Sequence, residues 1–207
     1  MNESDYKEDA DRYDEQVKEY DSYAQDVLFG LCYEFVKPGE KILDLGIGTG
    51  LASINFSRIG LKVYGLDRSE EMLNKCREKG FAEDLRIHNL ADRTIPFDND
   101  YFDHIICCGV LHFLGDLDNI FSEAARLMKG GGLFAFTVIP GIGADYKKEM
   151  TDWGVPVYKH PPEYIKKLLY KNGMVLIKEQ RLLTKGADKV NYDIMFSVMI
   201  VKINKQS

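Results

Sequence analysis

The chain reads as an α/β fold in three layers, with helices covering a seven-stranded, mostly parallel sheet that ends in an antiparallel C-terminal hairpin strand. Three observations predict it. An apolar run from Ile42 to Leu45 ends in the turn Gly46-Ile47-Gly48-Thr49-Gly50, and the next eight residues have helical spacing. Apolar runs then alternate with amphipathic stretches, the rhythm of parallel strands joined by crossover helices. Lastly, Val175 to Leu183 and Tyr192 to Ile203 alternate like strands, and a polar connection as short as that around Lys185-Gly186-Ala187-Asp188 makes an antiparallel pair.

At 207 residues, 45% hydrophobic and 29% charged, the chain fits one domain, 1–207, large enough for a real core. Residues 1–30 form its first part. Up to residue 26 there are ten acids against three bases, whereas the remainder holds 23 acids against 24 bases. A near-neutral body with an acidic N-terminal segment has no electrostatic footprint for nucleic acid. Tyr6, Tyr13 and Tyr20 recur every seven residues, so a helix would put them on one face, with Tyr23 one turn beyond Tyr20. Such a helix packs its tyrosines on the domain. Its acid is either a solvated face or a preference for a cationic ligand.

Residues 40–138 read as the cofactor-binding core. A backbone that must approach a ligand closely and turn at positive φ does so cheaply only without a Cβ, which Gly46, Gly48 and Gly50 allow. Dinucleotide-binding turns place the third glycine three residues after the second, and here the spacing is tighter, with Asp44 upstream. Lys62 to Asp67 reads as the second strand, ending in an acid 17 residues beyond Gly50. In doubly wound folds a carboxylate about 20 residues past the glycines accepts hydrogen bonds from ribose hydroxyls. The competing role for Asp67 is an N-cap of the following helix, for which Ser69 is better placed.

His104 to Cys108 is the fourth strand. Leu117 to Lys129 is an amphipathic helix that Gly130-Gly131-Gly132 should stop before a strand from Leu133 to Val138. Residues 139–162 are too punctuated by proline and glycine for one long element and are rich in rings. A loop of this kind at the carboxyl ends of the strands suits substrate contacts. Glu163 to Lys171 is the next helix, and with the hairpin it completes a terminal segment, 163–207.

These residues together resemble the class I S-adenosylmethionine-dependent methyltransferases, a Rossmann-like seven-stranded family, over nearly the whole chain. Asp44-x-Gly46-x-Gly48-x-Gly50, with Ile47 inside it, is similar to the motif whose acid holds the loop and, often through water, the methionine ammonium. Asp67-Arg68-Ser69-Glu70-Glu71-Met72-Leu73 looks like the D-x-S-x-x-M-L segment, which implies ribose binding by Asp67 and adenine contacts from Arg68 and Met72. Without that context Met72 is core packing. Asn89-Leu90-Ala91-Asp92, before Ile95-Pro96-Phe97, resembles the stretch whose acid binds the adenine amino group. Either Asn89 or Asp92 can accept that bond, and the spacing leaves both open, with a slight preference for Asp92.

After the fourth strand, the resemblance puts Cys108, Gly109 and His112 nearest the transferable methyl group. His112 is there a general base or a packing residue. Ala10-Asp11-Arg12-Tyr13-Asp14 matches the A-x-x-Y-D segment with which small-molecule members close a lid over the cofactor. That puts Tyr13 and Tyr23 near the methionine end or the substrate. Tyr158-Lys159-His160 looks like the Y-x-H segment of some of these enzymes, so Trp153, Tyr158 and His160 become substrate candidates, His160 being a second candidate base. Trp153 equally suits the edge of the core.

The resemblance implies S-adenosyl-L-methionine as cofactor, no metal, and in-line transfer of a methyl group to an O, N, S or C nucleophile of a small molecule. The alternatives are a non-catalytic binder of the same nucleoside and, on poorer glycine spacing, a nicotinamide oxidoreductase. Four cysteines, Cys32, Cys76, Cys107 and Cys108, form no C-x-x-C pair, no apolar run reaches 18 residues and the N-terminus is acidic. A reduced, cytoplasmic protein with no membrane partner is expected.

Overall fold

The computed structural model describes residues 3–92, 94–151, 154–185 and 191–205, without the side chains of 3–9, 192 and 193. Trp153 and the 186–190 connection lie outside the described residues.

Five parallel strands form the centre: β1 (Lys41–Leu45), β2 (Lys62–Asp67), β3 (Ala82–Ile87), β4 (Phe102–Cys107) and β5 (Met128–Pro140). Their order is β3-β2-β1-β4-β5. The chain winds outward from β1 to β3, then returns to place β4 on β1's other side, so the order reverses between β1 and β4. Ligand crevices in open α/β sheets form at such a reversal, at the carboxyl ends of the strands. Beyond β5, β9 (Tyr192–Ile203) pairs antiparallel with β5 and with β8 (Met174–Lys185). The seven-stranded sheet with its reversed terminal strand follows from the sequence pattern as expected.

Helices cover both faces. On one, α5 (Asp118–Leu127) and α6 (Pro162–Lys171) pack on the sheet, with Phe121 edge-on to Phe134 and Phe136 at 5.3 and 5.1 Å. On the other, Leu28 of α2 (Ala24–Cys32), Phe56 of α3 (Ile54–Arg58) and Leu73 of α4 (Glu70–Glu78) cover Ile42, Val63 and Ile106. Strands buried on both faces read as near-continuous apolar runs, as β1 and β4 do. The N-terminal helix α1 (Glu3–Glu19) lies outside this packing and meets α4 through side chains.

Two expectations need correction. Gly130-Gly131-Gly132 does not end the helix; α5 stops at Leu127 and the glycines belong to β5. They make a bulge against β4, where the pairing jumps from Phe102–Met128 to His104–Leu133. A Cβ on Gly132 would lie 2.4 Å from the Asp103 carbonyl oxygen, so only a bare backbone passes there. The second concerns 139–162, which is not an open loop. It contains an antiparallel pair, β6 (Lys147–Met150) and β7 (Pro156–His160), and β7 pairs parallel with the last two residues of β5.

Candidate active site

A cleft of about 290 Å³ opens at the carboxyl ends of β1, β2 and β4, where the strand order reverses. Its floor is the turn after β1. Gly46 and Ile47 both donate their N–H to the Leu66 carbonyl, at 2.8 and 2.9 Å, and Gly48 N donates to Asp67 Oδ2 at 2.9 Å. The glycines differ in what they allow. Gly48, at φ +54°, faces open space, whereas a Cβ on Gly50 would lie 2.4 Å from the Phe81 ring and 2.9 Å from Cys76 Sγ. Gly50 is therefore a packing glycine outside the cleft wall, a correction to its expected place.

Asp44 stands in the middle of the sheet, paired to Gly65 and Ile106, and is 1% exposed. Its Oδ2 accepts a 2.5 Å hydrogen bond from Ser53 Oγ, while its buried Oδ1 has no partner within the protein. Burial pushes its pKa up to about 7; the Ser53 bond opposes the rise and the Asp67 charge adds to it. A buried carboxylate oxygen without a partner is costly, and a cationic group in the cleft would offset that cost.

Asp67 is held by its own loop, Oδ2 by Gly48 N and Oδ1 by Ser69 N at 2.9 Å. Each oxygen keeps a second acceptor site, so both remain able to accept from hydroxyls. Ser69 caps α4, its Oγ accepting from Met72 N at 3.2 Å, and so sets Met72 against the cleft beside Arg68. After β3, Asn89 and Leu90 line the cleft, while Ala91 and Asp92 are exposed outside it. Asn89 Oδ1 accepts from Ala91 N, an Asx turn that fixes the side chain and carries the chain away from the cleft before Asp92. The slight preference for Asp92 is thereby reversed.

Cys108 and Gly109 follow β4 into the cleft, and Gly109 N donates to Thr137 Oγ1 at 2.8 Å. Tyr13 reaches in from α1. Burial, then the neighbouring Cys108, Asp67, Asp14 and Asp44, push its phenol up to about 12, so it stays neutral and both donates and accepts. Asp14 pins α1 through Thr49 Oγ1 at 2.5 Å and Lys79 Nζ at 2.6 Å, with Asp11 on Lys75 at 2.6 Å. Asp11 and Asp14 thus face α4 and the glycine turn. Tyr23 points outward, 59% exposed, and its neighbours Ser22, Ala24 and Gln25 line the cleft in its place.

At the far end the wall is Val17, Phe113, Leu114 and Phe196. His112 stands behind it, 4.1 Å from the Phe113 ring and 5.4 Å from Phe196, with a buried, unpartnered Nδ1. Burial, and then His160, hold its pKa down at about 4. The imidazole is neutral near pH 7 and a weak base. His160 is 1% exposed, its pKa lowered by burial, and its Nε2 donates to backbone carbonyls. Tyr158 packs its ring 5.9 Å from Tyr146. Neither reaches the cleft wall, because the β6–β7 pairing turns the segment back against the chain after β4.

Thr137, Gln25, His88 and Phe196 line the cleft without having been singled out in the sequence. Thr137 carried a signal, a lone hydroxyl within the apolar run Leu133 to Val138. Phe196 carried none, since aromatic residues are ordinary in strands. Among the described residues no cluster of histidine, cysteine or acid could hold a metal ion, and no helix is long and apolar enough to cross a membrane.

Residues 43–136 match the family described as a methyltransferase domain. The chain is 32% identical over 135 residues to the bifunctional biotin biosynthesis protein of Saccharophagus degradans, covering 63% of this chain and 24% of that one. It is 28% identical over 167 residues to the ubiquinone biosynthesis O-methyltransferase of a Shewanella species, covering 75% and 68%. It thus spans about a quarter of the first relative and two thirds of the second. The solved structure of an S-adenosylmethionine-dependent methyltransferase from Methanosarcina mazei superimposes with a TM-score of 0.71 at 14% identity, over 85% of this chain and 98% of that one. In its matched domain, its fold and the acid-glycine turn at the strand reversal, the chain is similar to the class I S-adenosylmethionine-dependent methyltransferases.

Proposed function

We propose that this chain transfers a methyl group from S-adenosyl-L-methionine to a small, uncharged, apolar or aromatic acceptor. The observation that carries this reading is Asp44 Oδ1, a buried acceptor without a partner, beneath a glycine turn at the sheet's reversal point. The residues present fit the cofactor. Asp44 suits its ammonium, the Gly46–Gly48 backbone admits it closely, and Asp67 suits the ribose hydroxyls. Arg68, Met72, Asn89 and Leu90 suit the adenine. When bound, the cofactor supplies an electrophilic sulfonium methyl, the hard part of the chemistry.

The protein's own work is to orient and to exclude water. Orientation alone lowers such barriers by about 7–11 kcal/mol. Tyr13, on the pinned helix α1, covers the cleft as part of a lid formed by residues 1–30, and its neutral phenol gives the acceptor one hydrogen-bonding group. Val17, Phe113, Leu114 and Phe196 form an uncharged wall for that acceptor. His112 stays neutral behind the wall, where it packs against Phe113 and Phe196. We place the protein in the cytoplasm, a reading supported by four free cysteines, three of them buried. Nucleic acid is disfavoured as substrate by the near-neutral body.

Calorimetry and labelled transfer test the reading in sequence. S-adenosylhomocysteine should bind and NAD should not, and label from the cofactor methyl should appear in a member of a panel of phenols, thiols and amines. Binding without transfer to any acceptor supports the passive binder. No binding of S-adenosylhomocysteine at millimolar concentration removes the reading altogether.

A further inference from the structure

We infer that His160 is a positioning residue for the acceptor wall of the cleft, acting through the backbone of Leu114 and Gly115. The inference rests on the proposed function only in naming that wall an acceptor site. His160 closes β7, and its Nε2 lies 2.9 Å from the Leu114 carbonyl oxygen and 3.1 Å from that of Gly115. Carbonyl oxygens only accept, so Nε2 carries the proton and Nδ1, buried and unpartnered, does not. One N–H is thus shared between two successive carbonyls.

Those carbonyls need it. The turn Leu111–Phe113 ends with Leu114 N donating back to Leu111, and the chain leaves with its next carbonyls outside any ladder. The same stretch is gripped again two residues on, where Leu117 N donates to Tyr164 Oη at 2.8 Å, and Tyr164 Oη donates to Asp116 Oδ1 at 3.2 Å. The His160 ring stacks on Tyr164, centroids 5.8 Å apart and planes 25° apart. Between the two grips, a Cβ on Gly115 would come within 2.7 Å of both Tyr146 and Tyr158, so the segment lies flat on the rings of 139–164. Phe113 and Leu114, which line the cleft, are therefore held from behind by residues that never touch it.

Backbone hydrogen–deuterium exchange of the protein loaded with S-adenosylhomocysteine tests this. His160→Leu, which keeps the bulk and removes the N–H, should speed exchange of the Leu114–Leu117 amides by about tenfold or more, the effect of leaving part-buried acceptors unmatched. The Gly46–Gly50 amides and the S-adenosylhomocysteine affinity should not change. His160→Gln, whose amide nitrogen occupies the place of Nε2, should restore slow exchange. Unchanged exchange in His160→Leu, or exchange in His160→Gln as fast as in His160→Leu, would overturn the inference, since ring packing alone would then hold the wall. Should the leucine variant fail to fold, the ¹⁵N shifts of His160 in the native protein decide: an Nε2–H tautomer supports the inference and an Nδ1–H tautomer ends it. Absence of S-adenosylhomocysteine binding by the native protein strikes the proposed function instead and leaves the tautomer and the exchange rates to be read.

Discussion

The two ends of the cleft are built on different plans. The proposed nucleoside end comes from three turns, those after β1, β2 and β3, and its key side chains are fixed by hydrogen bonds: Asp44 by Ser53, Asp67 by Gly48 and Ser69, Asn89 by Ala91. The proposed acceptor end is assembled from distant stretches, with Tyr13 and Val17 on α1, Phe113 and Leu114 after β4, and Phe196 on β9. One end is a preformed, charged cradle. The other is apolar and depends on what packs behind it, so the same cradle can serve different acceptors when only the distant parts change.

Substitutions at the two ends should separate this contrast, beginning with Asp44. Asp44→Asn should weaken S-adenosylhomocysteine by about two orders of magnitude or more, in line with losing one partner of a desolvated charge pair. The same variant should unfold at an equal or higher temperature than the native protein, because it removes an unpartnered buried carboxylate. A loss of stability alongside the loss of binding would mean that Asp44 is chiefly structural.

Next comes Gly50→Ala, which forces a Cβ against Phe81 and Cys76 at positive φ. It should cost about 1–3 kcal/mol of stability in denaturant titrations, the usual range for overpacking. The native-state affinity for S-adenosylhomocysteine should change little, because Gly50 packs away from the cleft. A large affinity loss at full stability would put it back among the ligand contacts.

Per pH unit, the pH dependence is a smaller effect, and it has a definite sign. Asp44's folded pKa, about 7, lies above its ordinary value of 3.8. Between those values the folded state holds the extra proton, so stability of the free protein should fall as pH rises from about 4 to 7 and then level off. Binding an ammonium needs the ionised carboxylate, so affinity should rise about tenfold per unit up to pH 7 and then flatten. Asp44→Asn should abolish the slope. A flat profile in the native protein would contradict this account of Asp44.

Smallest is the effect of freeing the lid. Asp14→Asn, which weakens the contacts to Thr49 and Lys79, should raise the dissociation rate of S-adenosylhomocysteine by about two- to fivefold, the scale of a part-exposed ion pair. Added salt should narrow the difference between the variant and the native protein. A salt-independent change would point away from the ion pair.

The same contrast explains what the sequence reveals. The glycine turn, the Asp67 position and the Ser69 cap are short-range patterns with stereochemical causes, and the fold follows from them and from the alternation of apolar runs. The C-terminal strand Tyr192–Ile203 is bounded as its period-two pattern implies. Legibility fails where partners are remote. Gly130 to Gly132 imitates a helix stop, yet the close approach of Asp103 from β4 makes it a strand bulge. His160 looks like a base until its ring is seen buried away from the cleft, with its Nε2–H held by Leu114 and Gly115. Phe196 becomes part of the cleft only because β9 pairs beside β5. Asn89 and Asp92 differ by an Asx turn, which composition does not resolve.

On the proposed function, Asp44's unpartnered oxygen makes this cleft a site for the ammonium of S-adenosylmethionine. Calorimetric comparison of S-adenosylhomocysteine with 5′-methylthioadenosine, which keeps the nucleoside and lacks the amino acid tail, tests it on the native protein. S-adenosylhomocysteine should bind tighter by about thirtyfold or more at pH 8, the lower bound for a desolvated charge pair. Equal affinity for the two compounds would contradict it.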